Sequence, residues 1–123
     1  MLPNCVLVVE DEPSLRSVFR RAIEGAGFRV LSAATASEAL AIWEEQAKEI
    51  PVILIDQNLH NTISGEEAGL RICADNPNTK IILMSGRQPN GEQLPEGWVF
   101  LAKPFSISEL IRVIGEAFSR SRA

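Results

Sequence analysis

Two of the side chains most used for covalent and metal chemistry are scarce in this chain. Cysteine occurs twice, as Cys5 and Cys73, each among apolar neighbours, and histidine once, as His60. Two isolated cysteines cannot form a disulfide framework, so both are expected to be reduced packing residues of a cytoplasmic protein. His60 is expected to be an exposed loop side chain. No apolar run is long enough to span a bilayer, and the N-terminus lacks the charged-then-apolar layout of a signal peptide. Walker-type and GxGxxG loops are missing, which removes support for nucleotide binding. Internal repeats and low-complexity segments are missing too. Positive charge is not in excess: 12 Lys and Arg stand against 16 Asp and Glu, a net charge of -4, which disfavours nucleic acid or a membrane surface as partner. A chain of 123 residues suits one domain, 1–123, with one core.

What is present is a regular alternation. Short apolar runs at Cys5–Val9, Val30–Ala33, Val52–Ile55, Ile81–Met84 and Val99–Leu101 have the length and β-branched content of buried strands. Leu15, Val18, Phe19, Ala22 and Ile23 fall on one face of a helix stopped by Gly25 and Gly27. A capping box, Thr35 to Glu38, opens a second helix carrying Ala39, Leu40, Trp43 and Ala47 inward. A weaker stripe of Leu70, Ile72 and Cys73 ends before Pro77. Another capping box, Ser106 to Glu109, opens a last helix burying Leu110, Val113, Ile114, Ala117 and Phe118. Strands alternating with helices predict a parallel sheet covered on both faces, with its ligand beyond the carboxyl ends of the strands. Where a further helix belongs, Gly86 to Gly97 reads GRQPNGEQLPEG, which predicts that this helix is short or replaced by a loop over Gln88 to Glu96.

The residues that end the strands form a short list: Glu10 and Asp11, then Asp56, Ser85 and Lys103. A parallel sheet delivers them all to one edge. Three carboxylates crowded there repel one another, and a divalent cation resolves the repulsion; an all-oxygen set with few carboxylates suits magnesium. The constellation fits phosphoryl transfer to a carboxylate, with Asp56 as nucleophile. Asp11 would ligate Mg2+ directly, Glu10 through water, and the Asn58 backbone carbonyl would complete the protein ligands. The Ser85 hydroxyl and the Lys103 ammonium would compensate the remaining phosphoryl oxygens, with backbone N–H groups near Asn58 and Gly86 in support.

With VLVVEDEP, VILIDQNL, IILMSG and LAKPF in this order, the chain resembles a response-regulator receiver domain from start to end. The resemblance implies a flavodoxin-like (CheY-like) α/β fold with five parallel strands in the order 2-1-3-4-5. It implies phosphorylation of Asp56 by a histidine kinase or histidine phosphotransfer protein, and a cis Lys103–Pro104 bond. It also makes Ser85 the hydroxyl switch and Phe100 the aromatic switch. The sequence departs from the family pattern in two places. DQNLHNTISG carries His60 where proline is usual and has one residue more before Gly65, and the segment between Ser85 and Lys103 is short. The commonest output and dimer face is built on the helix missing there, so a monomer or weak dimer is expected. MSG and KPFS resemble receivers attached to hybrid histidine kinases, so 1–123 is either a whole receiver or part of a longer chain. Because one histidine leaves no separate phosphodonor box, the donor is another protein or domain. An aspartate-nucleophile phosphatase, the enzymatic alternative, usually has a second acid where this chain has Asn58. A degenerate, binding-only receiver is disfavoured because every acidic-site residue is retained.

Overall fold

The computed structural model describes residues 3–59, 63–86 and 94–121. The apolar runs form β1 (Cys5–Val9), β2 (Arg29–Ala33), β3 (Val52–Asp56), β4 (Lys80–Ser85) and β5 (Val99–Ala102). The helices are α1 (Pro13–Gly25), α2 (Ala36–Glu45), α3 (Gly65–Asp75) and α4 (Ile107–Ser121). The sheet order is β2-β1-β3-β4-β5 and every neighbouring pair is parallel. The three inner strands are buried almost throughout, whereas the edge strands β2 and β5 are partly exposed. Continuous apolar runs are what two covered faces require.

Alternation along the strands divides the core into two layers. Cys5, Leu7, Val9, Ile53, Ile55, Ile81 and Leu83 face α2 and α3, packing with Ala39, Trp43, Ala68 and Ile72. Val6, Val8, Val52, Leu54, Ile82 and Met84 face α1 and α4, packing with Phe19, Ile23, Leu110 and Ile114. Each fully buried large aliphatic side chain contributes about 1.5–3 kcal/mol by leaving water. Both cysteines are free thiols, and burial pushes each above its ordinary pKa. None of the helices, among the described residues, is long and apolar enough to cross a membrane.

The helices start where the caps direct them. Thr35 Oγ1 accepts the Glu38 N–H at 3.0 Å, and Glu38 returns a bond to the Ala34 N–H at 2.9 Å. Ser64 and Ser106 cap α3 and α4 through the Glu67 and Glu109 N–H groups, at 3.1 and 3.0 Å. Three helix faces differ from the expected ones. In α1, Leu15 and Val18 are exposed, because the helix is rotated to turn Phe19 and Ile23 inward and to let Arg16 bond the Glu10 carbonyl at 2.8 Å. In α2, Ala47 is outside the helix and exposed: the helix ends at Glu45, and Ala47 and Lys48 take left-handed conformations that bring the Lys48 N–H onto the Trp43 carbonyl. In α3, Leu70 is 46% exposed, since the small residues Gly65, Ala68 and Gly69 make the contact face together with Ile72. Between β4 and β5 none of the described residues is helical, and residues 87–93, on which most of the predicted loop falls, lie outside the described residues.

Candidate functional site

Parallel topology brings the strand ends together as the alternation requires. The acidic run after β1 divides by role. Glu12 caps α1, its carboxylate accepting the Ser14 and Leu15 N–H groups at 3.2 and 2.8 Å. Glu10 turns inward and is 1% exposed, with Oε2 accepting the Glu12 N–H at 3.1 Å. Its other oxygen, Oε1, is buried and accepts no hydrogen bond, lying 3.8 Å from Lys103 Nζ. Asp11 is half-buried beside it and hydrogen-bonds to the Glu10 carboxyl.

At the end of β3, Asp56 is 3% exposed. Both of its oxygens are held: Oδ1 accepts the Asn58 N–H at 3.0 Å, and Oδ2 accepts from Lys103 Nζ at 2.8 Å. Oxygens of Glu10, Asp11 and Asp56 all lie within 4.8 Å of one another. The lysine arrives from the end of β5, where its N–H donates to the Ser85 carbonyl at 2.9 Å and the Lys103–Pro104 peptide is cis. Ser85 itself is buried at the end of β4, opposite Ala102.

The Glu10 carboxyl is pushed up from 4.5 to about 7. Burial is the main cause, and the Asp56 charge and the Asp11 hydrogen bond add to it. The Glu12 N–H and the Lys103 ammonium oppose the rise. The carboxylates open into a cleft of about 650 Å³, with Leu15, Leu59 and Ile63 on its apolar side and Ser64 at its rim.

Of the residues expected from sequence, Glu10, Asp11, Asp56 and Lys103 converge directly. Asn58 has an exposed side chain and meets Asp56 through its backbone N–H. Phe100 is half-buried in β5, opposite Leu83, outside the lining of the cleft. Pro104 lines a neighbouring apolar groove with Phe19 and Phe105. His60 lies outside the described residues.

Sequence reasoning missed the parts that hold the acidic corner in place. Arg16 fixes the Glu10 backbone, as described above. Gln57 ties three elements together: its N–H donates to the Met84 carbonyl at 2.9 Å, its carbonyl accepts the Gly65 N–H at 3.1 Å, and its side-chain Oε1 accepts the Glu66 N–H at 2.8 Å. Gly65 lies so close to β3 that a Cβ there would collide with the Asp56 carbonyl group. Neither Arg16 nor Gln57 has a sequence signal, because both roles depend on distances set by the fold. Gly65 could have been suspected from its place just after the Ser64 cap.

Comparisons with known proteins agree with this geometry. The family model for the response regulator receiver domain matches residues 6–115. The chain is 31% identical over 119 residues to sensor kinase CckA of Brucella abortus (strain 2308), covering 94% of this chain and 12% of that protein. It is 27% identical over 113 residues to the probable transcriptional regulatory protein TcrX of Mycobacterium tuberculosis (strain ATCC 25618 / H37Rv), covering 89% of this chain and 47% of that one. The chain thus spans less than half the length of either curated relative. Among solved structures, the receiver domain from hybrid histidine kinase CckA superposes with a TM-score of 0.81 at 30% identity, covering 93% of this chain and 98% of that one.

Proposed function

The chain belongs to the response regulator receiver domain family, and from that premise we propose that Asp56 is its phosphoacceptor, charged by a phosphohistidine of a histidine kinase or phosphotransfer protein. The observation that carries this reading is the paired state of Asp56, a buried carboxylate held by Lys103 Nζ and the Asn58 N–H inside an acidic cluster. A carboxylate oxygen of Asp56 attacks phosphorus, and the P–O bond forms as the P–N bond breaks. The donor ring, protonated on its other nitrogen, leaves as neutral imidazole. Lys103 is already beside the reacting carboxylate, so it can compensate a phosphoryl oxygen without reorganisation. The product is an acyl phosphate, and the activity is limited to the protein's own phosphorylation and slow hydrolysis.

The residues present fit Mg2+. The donors are all oxygen, and the buried Glu10 Oε1 lacks any hydrogen-bond donor, which a metal-bound water would supply. Asp11, Asp56 and the Asn58 carbonyl would hold the ion, with Glu10 acting through water, and the ion would neutralise charge on the phosphoryl group. Ser85 and Phe100 carry the response, the hydroxyl moving toward the phosphoryl group as the ring turns inward. The 30–31% identity to CckA favours a receiver of a hybrid kinase over a stand-alone regulator. Asn58 in place of a second acid disfavours a phosphatase.

Incubation with acetyl phosphate and Mg2+ should yield one labile phosphoryl adduct by intact mass, absent in Asp56→Asn; an equal adduct in that variant would move the acceptor elsewhere. A second expectation concerns pH. The Glu10 carboxyl titrates at about 4.5 when unfolded and about 7 when folded, so the folded state binds its proton more tightly. Its contribution to stability is full below about pH 4.5 and is lost as pH rises through about 7. Mg2+ binds the ionised cluster, so it should raise the melting temperature by several degrees at about pH 8 and hardly at all at about pH 5. Equal shifts at both pH values, read by thermal denaturation with and without EDTA, would exclude Glu10 from the site.

A further inference from the structure

The helix α3 carries a notch, and a ring fills it. A Cβ placed on Gly69 would stand 2.6 Å from Cη2 and 3.0 Å from Cζ2 of Trp98. The ring therefore rests on bare helix backbone, and alanine cannot be accommodated without moving it. Ile81 of β4 lies against the same notch, and near the ring is the Cys73 thiol, which donates to the Thr79 carbonyl at 3.8 Å. Trp98 and Leu94 both pack against the core layer shared by α2 and α3. The approach is fixed by a turn: the Trp98 N–H donates to the Pro95 carbonyl at 3.1 Å, and Gly97 has a φ of +89. A left-handed residue at that point favours glycine.

Trp98 immediately precedes β5, and Lys103 immediately follows it. Alternation places Val99 and Leu101 in the other core layer, so Trp98 and Phe100 share the α3 side of the sheet. The strand between them is a short rigid lever, about 17 Å from Trp98 to Lys103 at the rise of a strand. One end touches the site, through the Lys103 ammonium on Asp56 and the Lys103 N–H on Ser85. The other end is the seated ring.

We propose that Trp98 is a latch: seated over Gly69, it fastens the connection entering β5 to α3 and carries displacement of β5 at the Asp56 site into α3. This goes beyond the phosphoacceptor reading and rests on it for the coupling, though not for the seating. It gives α3, with its exposed Leu70, a part in the output.

Two arms test it. The first needs no phosphorylation. Gly69→Ala should unseat the ring and uncover Cys73, raising its rate with a thiol reagent ~10-fold or more; Cys5, 1% exposed, should stay unreactive. Trp98→Ala should do the same, and it decides the point if Gly69→Ala fails to fold. Parental Cys73 rates in both variants would overturn the latch. The second arm uses the unmutated chain labelled with fluorotryptophan, with the Trp98 resonance assigned by Trp98→Phe. Mg2+ with beryllofluoride should shift that resonance, and acetyl phosphate with intact mass reports the adduct separately. An adduct with a motionless Trp98 resonance would overturn the latch and leave the Asp56 reading standing. If no adduct forms, the Asp56 reading falls and the Cys73 rates alone decide the latch.

Discussion

Lys103→Ala is expected to destabilise the protein by about 2 kcal/mol at neutral pH and to slow adduct formation from acetyl phosphate ~100-fold. The ammonium lies 2.8 Å from Asp56 and 3.8 Å from Glu10, two carboxylates almost wholly buried. Removing it leaves the Asp56 carboxylate without its cation, beside a Glu10 carboxyl that must take up a proton or repel it. The lysine side chain is itself 30% exposed, so water moderates the loss and keeps it below the upper range for a fully buried pair. Acid should narrow the gap. Without Lys103, Glu10 loses a group that held its pKa down, so its folded carboxyl takes up a proton even more readily. The variant therefore loses further stability as pH rises above about 7, and the part of the gap that comes from Glu10 closes below about pH 7, where the folded carboxyl is protonated with or without Lys103. Lys103→Arg keeps the charge but replaces a point ammonium with a planar fork, so it should recover stability better than rate. Urea titrations at several pH values, beside adduct kinetics, read both effects. Equal stability of Lys103→Ala and parent at neutral pH would show that the pair contributes nothing.

How far the site could be read from sequence depended on whether the relevant distance was local. Strand ends are local features, and a parallel sheet sends every one to the same edge, so Glu10, Asp11, Asp56, Ser85 and Lys103 could be gathered without coordinates. Capping boxes are local as well, and the two expected ones, Thr35 and Ser106, cap their helices. The rotation of α1 was not legible. Its apolar stripe admits more than one inward direction, and the choice is made by Phe19, Ile23 and the reach of Arg16 to Glu10, a contact between elements. The face of α3 failed for a related reason. Hydrophobic periodicity gives most weight to large side chains, whereas this helix packs through glycine and alanine and leaves Leu70 outside. Small residues show close approach only once the neighbour is known, and here the neighbours are the Asp56 backbone and the Trp98 ring.

The glycine that meets backbone should be the least replaceable of these. A Cβ on Gly65 would overlap the Asp56 carbonyl oxygen, approach its carbon at 2.8 Å and reach Gln57 Cα at 3.0 Å. None of these atoms can rotate away, since all belong to the end of β3 and the peptide after it. Relief requires α3 to retreat, and retreat stretches the Gly65 and Glu66 N–H bonds to Gln57, now 3.1 and 2.8 Å. Overpacking costs about 1–3 kcal/mol and each weakened bond about 1, so Gly65→Ala should lose about 3 kcal/mol or more. Gly115→Ala is the matching control: its Cβ would meet nothing within 4 Å in the interior of α4, and it should stabilise by about 0.5–1 kcal/mol. Function should fall with Gly65→Ala as well, because the peptide that α3 presses on carries Asp56 into the acidic cluster and Asn58 onto its Oδ1. Adduct formation should therefore slow even at temperatures where the variant is fully folded, a loss that destabilisation alone does not produce. Denaturant midpoints for the two alanine variants, with adduct rates measured well below either transition, separate packing from positioning. A Gly65→Ala protein as stable as its parent would mean that α3 does not press on the phosphoacceptor strand.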